Sequence, residues 1–115
     1  MTVQIQLGAR RDVAQDDLGR HQIGWWPGQS EQEAWECGRG VWKASADRVL
    51  EHELAEVVAP DGTVLAVGAI RGVTKVSGGR IAIEGVLQVG HPVVGRVSPR
   101  VHTSRNPVMY FGADS

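Results

Sequence analysis

Cysteine is nearly missing from this chain of 115 residues: Cys37 stands alone. That excludes an internal disulfide and any multi-cysteine zinc site. Long hydrophobic runs are missing too. No apolar stretch approaches the ~20 residues of a membrane helix, and residues 1–11 lack the apolar core of a signal peptide. There is no Walker loop, no GxSxG elbow and no dinucleotide fingerprint. The histidines His21, His52, His91 and His102 have no partner at metal-ligand spacing. The sequence therefore implies no metal and no cofactor, and reads as a soluble, cytoplasmic chain with no membrane partner.

What is present has an ordinary total and an uneven distribution. Hydrophobic residues at 42% and charged residues at 22% match a globular protein of one domain, expected to span residues 1–115. Aromatics make up only 5%, yet all four tryptophans (Trp25, Trp26, Trp35, Trp42) fall in one 18-residue window. Charge is split as well. Residues 1–60 carry six Lys/Arg against ten Asp/Glu, and residues 61–115 carry six against three. Within 71–105, Arg71, Lys75, Arg80, Arg96, Arg100 and Arg105 face a single acid, Glu84. A basic half beside an acidic half allows an anionic partner on one face. Arginines scattered over a twisted sheet are the plainer reading.

Periodicity predicts a mainly β protein with short helices. Val3, Ile5 and Leu7 alternate with Gln4 and Gln6, the pattern of a strand with one buried face. Arg10 to Gln22 reads as a loop or short helix, and Trp25-Trp26-Pro27-Gly28 as a turn. Ser30 and Glu33 form a capping box for a helix that Gly38 and Gly40 end, with Trp35 inward. Gly40 to Lys43 is extended, and Ser45 caps a second helix through His52. Leu54–Ala59 and Thr63–Ile70 flank the hairpin turn Pro60-Asp61-Gly62, with Arg80–Val89 as a further strand. Val101 to Phe111 is extended but interrupted at Asn106-Pro107. Glycines inside the strands suggest bulges and sharp coiling. The expected architecture is a small, strongly curved, closed β-barrel of five or six strands with two or three short helices.

Candidate chemistry rests on few residues. Trp25 and Trp26 are adjacent, so on an extended chain they face opposite sides, and one should be exposed or line a concavity suited to stacking a base. Asn106, held extended by Pro107, presents a fixed amide that can read a base edge or staple two loops. Lys43 and Glu84 would supply acid–base groups only if both faced one cavity.

Gly40-Val41-Trp42-Lys43, a short helix, the hairpins LAEVVAPDGTVLAVGAI and RIAIEGVLQV, and the terminal Asn106-Pro107-Val108-Met109-Tyr110 resemble small barrels of the PUA-like superfamily, which includes the ASCH, EVE, YTH and SRA modules. The resemblance spans roughly residues 38–112. It implies RNA or DNA as partner and an extruded, in some members modified, base held in an aromatic-walled pocket. It also implies a module that accompanies nucleases restricting modified DNA. It nominates Trp42 and Lys43 for one wall and Asn106 and Tyr110 for the other. Trp25 and Trp26 are added from the stacking argument, and the six cations of 71–105 as phosphate ligands. Against this non-catalytic nucleic-acid reader stand a structural or protein-interaction domain and a small amidohydrolase using Lys43 and Glu84. An SH3-like or OB-type barrel is the alternative fold.

Overall fold

The computed structural model describes residues 2–13, 18–20 and 22–112. Residues 14–17 and His21 of the polar N-terminal stretch, and Asp114, lie outside them. No helix is long and apolar enough to cross a membrane among the described residues.

The first helix, α1 (Glu31–Gly38), starts where its capping box puts it. Ser30 Oγ accepts from the Glu33 amide at 3.1 Å, and the Glu33 carboxylate accepts from the Ser30 amide at 3.0 Å. Ala34, Trp35, Cys37 and Gly38 form its buried face. The second helix, α2 (Ala46–Leu50), is capped by Ser45 and ends before the expected His52, in a turn where the His52 amide reaches the Val49 carbonyl at 3.0 Å.

Six strands make one curled sheet: β1 (Thr2–Gln6), β4 (Gly40–Trp42), β5 (Leu54–Val58), β6 (Val64–Lys75), β7 (Ile81–Leu87) and β8 (Val108–Phe111). Two-residue strands β2 (Arg11–Asp12) and β3 (Gln22–Ile23) pair separately. The order is β4-β7-β6-β5-β1-β8, antiparallel except for β1 against β5. Between β5 and β6, Gly62 takes φ 90° and Asp61 Oδ1 accepts from the Thr63 amide at 2.9 Å. The 12-residue β6 bends at a register shift between Ile70 and Gly72.

Strand glycines serve a second purpose beyond curvature. A β-carbon at Gly68 or Gly85 would collide with the Trp35 ring or the Ala69 carbonyl. The two glycines thus form the seat on which α1 lays its indole against the sheet. Around it pack Val3, Ile5, Val57, Ala66, Ile81 and Ile83, each buried aliphatic worth about 1.5–3 kcal/mol.

Three expectations are corrected. The barrel does not close: the described β4 and β8 are unpaired on their outer sides. The first is three residues long, and the second starts behind Pro107, which has no amide to donate. Simple alternation also fails in β1, where Thr2 through Ile5 are all buried, and in the first half of β7, where Ile81, Ala82 and Ile83 are. Strand β1 lies between two others and is covered on its polar side by residues 98–106. Finally, Trp25 and Trp26 do not divide into one buried and one exposed ring. Both are half-buried against the main core.

Candidate functional site

The gap between β4 and β8 is where side chains converge without filling space. One wall is built from the C-terminus of α1. The last carbonyls of a helix need donors, and here side chains supply them. Trp42 Nε1 donates to the Gly38 carbonyl at 2.6 Å. Arg20 donates to the carbonyls of Glu36 at 2.9 Å and Cys37 at 3.1 Å, and to that of Gly40. A cation there also complements the helix dipole. The Trp42 ring is therefore held by its own N–H at the lip of the gap.

A cleft of about 430 Å³ opens beside it, within the range of small-molecule and cofactor sites. Trp42 and Lys43 come from the β4 side, Arg48 from α2, Arg80 from the start of β7, and Asn106 and Tyr110 from β8 and the turn before it. All four residues nominated by the superfamily resemblance meet here. Its described lining holds three cations and no carboxylate. Arg48 lies with Cζ 4.0 Å from the Tyr110 centroid, and the His52 ring sits 5.5 Å away. Tyr110 thus serves as a platform that holds the guanidinium, leaving Trp42 and the guanidinium itself as the planar surfaces. The Asn106 side-chain amide makes no hydrogen bond among the described residues. The bonds at this residue run through its backbone, to Ser104 Oγ at 3.0 Å and to His102 Nε2 at 2.6 Å. The amide is not a staple between loops.

A second cleft of about 350 Å³ also borders Trp42. It shares Trp42, Arg80 and Pro107 with the first and adds Gly8, Arg11, Arg20 and Val41, over a floor that includes Leu7 and Cys37. Again the described lining contains no carboxylate.

On the polar side of β1 the arrangement is the reverse. Gln4 and Glu56 are register partners on β1 and β5, and both are buried. Glu56 accepts from Gln4 Nε2 at 2.7 Å, Ser98 Oγ at 2.6 Å and Arg100 Nη1 at 3.2 Å. Gln4 Nε2 also reaches the Arg100 carbonyl at 2.7 Å, and Gln4 Oε1 meets His102 Nδ1 at 2.8 Å. A buried carboxylate is tolerated because every oxygen has a donor. His102 links this network to the Asn106 backbone, and so to the first cleft.

The cations expected to bind phosphate are spread apart. Arg100 is committed to Glu56. Lys75 and Arg80 share a further cleft of about 320 Å³ with Asp47. Arg71, Arg96 and Arg105 are exposed at separate positions on β6 and in the 91–106 segment. Trp25 and Trp26 line neither cleft. Glu84 pairs with Arg39 at 3.2 Å and accepts from Thr74 Oγ1 at 2.9 Å, and it is not part of the cleft that holds Lys43. The acid–base pair of the amidohydrolase alternative is therefore not assembled. Sequence reading missed Arg48, Arg20 and Arg11, which sit in the acidic half of the chain. A signal existed for Arg48, three residues past the Ser45 cap in the helix beside the Trp-Lys strand. For Arg11 and Arg20 there was none.

Among titrating groups, the exposed Asp61 stands out. The backbone amide and then the hydroxyl of Thr63 hold its carboxyl below the usual range by hydrogen-bonding its charged form. No three His, Cys, Asp or Glu side chains converge as a metal site among the described residues. No protein-family model, curated protein or solved structure matches the chain.

Proposed function

We propose that this chain is a non-catalytic nucleic-acid-binding module that takes one unstacked base of DNA or RNA, modified or not, into the cleft between β4 and β8. The observation that carries the reading is the lining of that cleft. A fixed indole, a guanidinium over Tyr110, an amide with no partner among the described residues and the cations Lys43 and Arg80 surround one opening without a described carboxylate. Each matches a part of a nucleotide: planes for the base, the Asn106 amide for its edge, cations for phosphate. Taking a base out of a stack costs a few kcal/mol, which stacking of about 1–3 kcal/mol and edge hydrogen bonds can offset. The sequence resemblance to PUA-like barrels implies the same partner and extends the reading to a module working beside a nuclease.

The test is tryptophan fluorescence titration with single- and double-stranded DNA and RNA oligonucleotides, with and without modified cytosine or adenine, at two salt concentrations. Base-dependent quenching that weakens with salt is expected, and a Lys43→Ala, Arg48→Ala double variant should need about ten-fold more ligand to reach it. Equal curves for wild type and double variant would sink the proposal. The alternative of a protein-interaction domain draws on exposed Val89, Val97 and Val101, and flat curves across the panel would favour it.

A further inference from the structure

The second cleft has no role in that reading, which places one base in the first. Three observations connect them. The clefts meet along a shared ridge of Trp42, Arg80 and Pro107. The second is nearly as large, about 350 Å³ against about 430 Å³. Its described lining repeats the same chemistry on a smaller scale: an apolar floor at Leu7 and Val41, cations at the rim, no carboxylate. The Arg20 fork is turned onto α1 carbonyls, whereas Arg11 is exposed on β2. Arg80, exposed and on the ridge, is the cation common to both described linings.

Resting on the single-base reading above, we infer that the second cleft receives the nucleoside next to the one held in the first, with the linking phosphate over the ridge at Arg80. The ligand is then a single-stranded segment of at least two nucleotides, rather than a duplex with one base flipped out. Two neighbouring bases seated in separate clefts are unstacked from each other and cannot both be paired in a helix.

The experiment compares three probes carrying the same base: a nucleoside 5′-monophosphate, the nucleoside 3′,5′-bisphosphate and the 5′-phosphorylated dinucleotide. The bisphosphate has the linking charge without a second nucleoside, so the dinucleotide must bind more tightly than it, by about ten-fold. Gly8→Leu is the blocking variant. Gly8 lines the second cleft and a β-carbon there meets nothing within 4 Å, so a larger side chain at its border starts without a clash. In it the dinucleotide should fall to the bisphosphate level while monophosphate binding is unchanged. Arg11→Ala, on an exposed two-residue strand, should remove part of the same gain. Equal affinity of bisphosphate and dinucleotide, or an unaltered dinucleotide affinity in both variants, would overturn the second-cleft assignment and leave the single-base reading standing. Tighter binding of a duplex than of its single strand would do the same. Failure of every probe to bind wild type, with oligonucleotides also inert, would remove the single-base reading and this inference with it.

Discussion

Two polar regions flank the core of this protein, and they treat charge in opposite ways. Under residues 98–106, the buried Glu56 meets Arg100, Gln4 and Ser98, so each charge and amide is answered inside the fold. Across the gap between β4 and β8, Lys43, Arg48 and Arg80 line a cleft whose described walls hold no carboxylate. A cation with an internal carboxylate serves the fold, because removing either partner strands the other. Cations gathered around an opening without one repel each other, and of the three only Arg48, on the Tyr110 ring, has a described partner in this cleft. The proposed function gives them an anion from outside. Arg100 and Arg80 look alike in the sequence and belong to different categories for this reason.

The sharpest way to break the contrast is Glu56→Ala. It leaves Arg100, Gln4 and Ser98 without their acceptor in a buried setting, at a cost of about 3 kcal/mol, the low end for a broken buried pair because Arg100 keeps some solvent contact. Urea denaturation reads this as a lower midpoint; a loss under about 1 kcal/mol would mean that water takes over the role of the carboxylate. The Lys43→Ala, Arg48→Ala variant should do the opposite. Stability should stay within about 0.5 kcal/mol, while oligonucleotide affinity falls about ten-fold and the salt slope flattens by roughly 0.7–0.9 per lost phosphate contact. A large stability loss there would place these cations with the fold.

His102 joins the two regions, so it tests whether they are independent. His102→Ala should cost about 1 kcal/mol by loosening the Gln4 network, and should also weaken binding through the turn that carries Asn106. Unchanged affinity would separate the regions. The smallest effect concerns Asp61, exposed in the β5–β6 turn. Its carboxyl is held low in the folded state, so the turn contributes stability above the unfolded value and loses it as pH falls through the folded one. Below about pH 4 the wild type should lose this contribution, and Asp61→Asn should show a flatter acid limb in thermal melts.

Much of the local structure was legible because it depends on neighbours in sequence. The Ser30–Glu33 capping box, the Ser45 cap and the Pro60-Asp61-Gly62 turn are closed by hydrogen bonds spanning two or three residues. Gln4 was not legible. Alternation assigned it to solvent, and only the covering segment 98–106, nearly a hundred residues away in sequence, makes it core. Gly68 and Gly85 read as sites of curvature, while their packing role depends on where α1 lays Trp35. The tryptophan window misled in part: Trp25 and Trp26 pack on the core, and Trp42 alone of the four reaches the clefts.

By itself the sequence determined a mainly β protein with two or three short helices, the caps of two of them and the main hairpin turn. Each of these follows from local stereochemistry or from a short motif. Tertiary structure decided that the sheet curls without closing, that Arg100 is spent on Glu56 while Arg48 is laid on Tyr110, and that Trp42 borders two clefts. Those outcomes depend on which distant strands become neighbours, and no periodicity along the chain encodes the gap between β4 and β8.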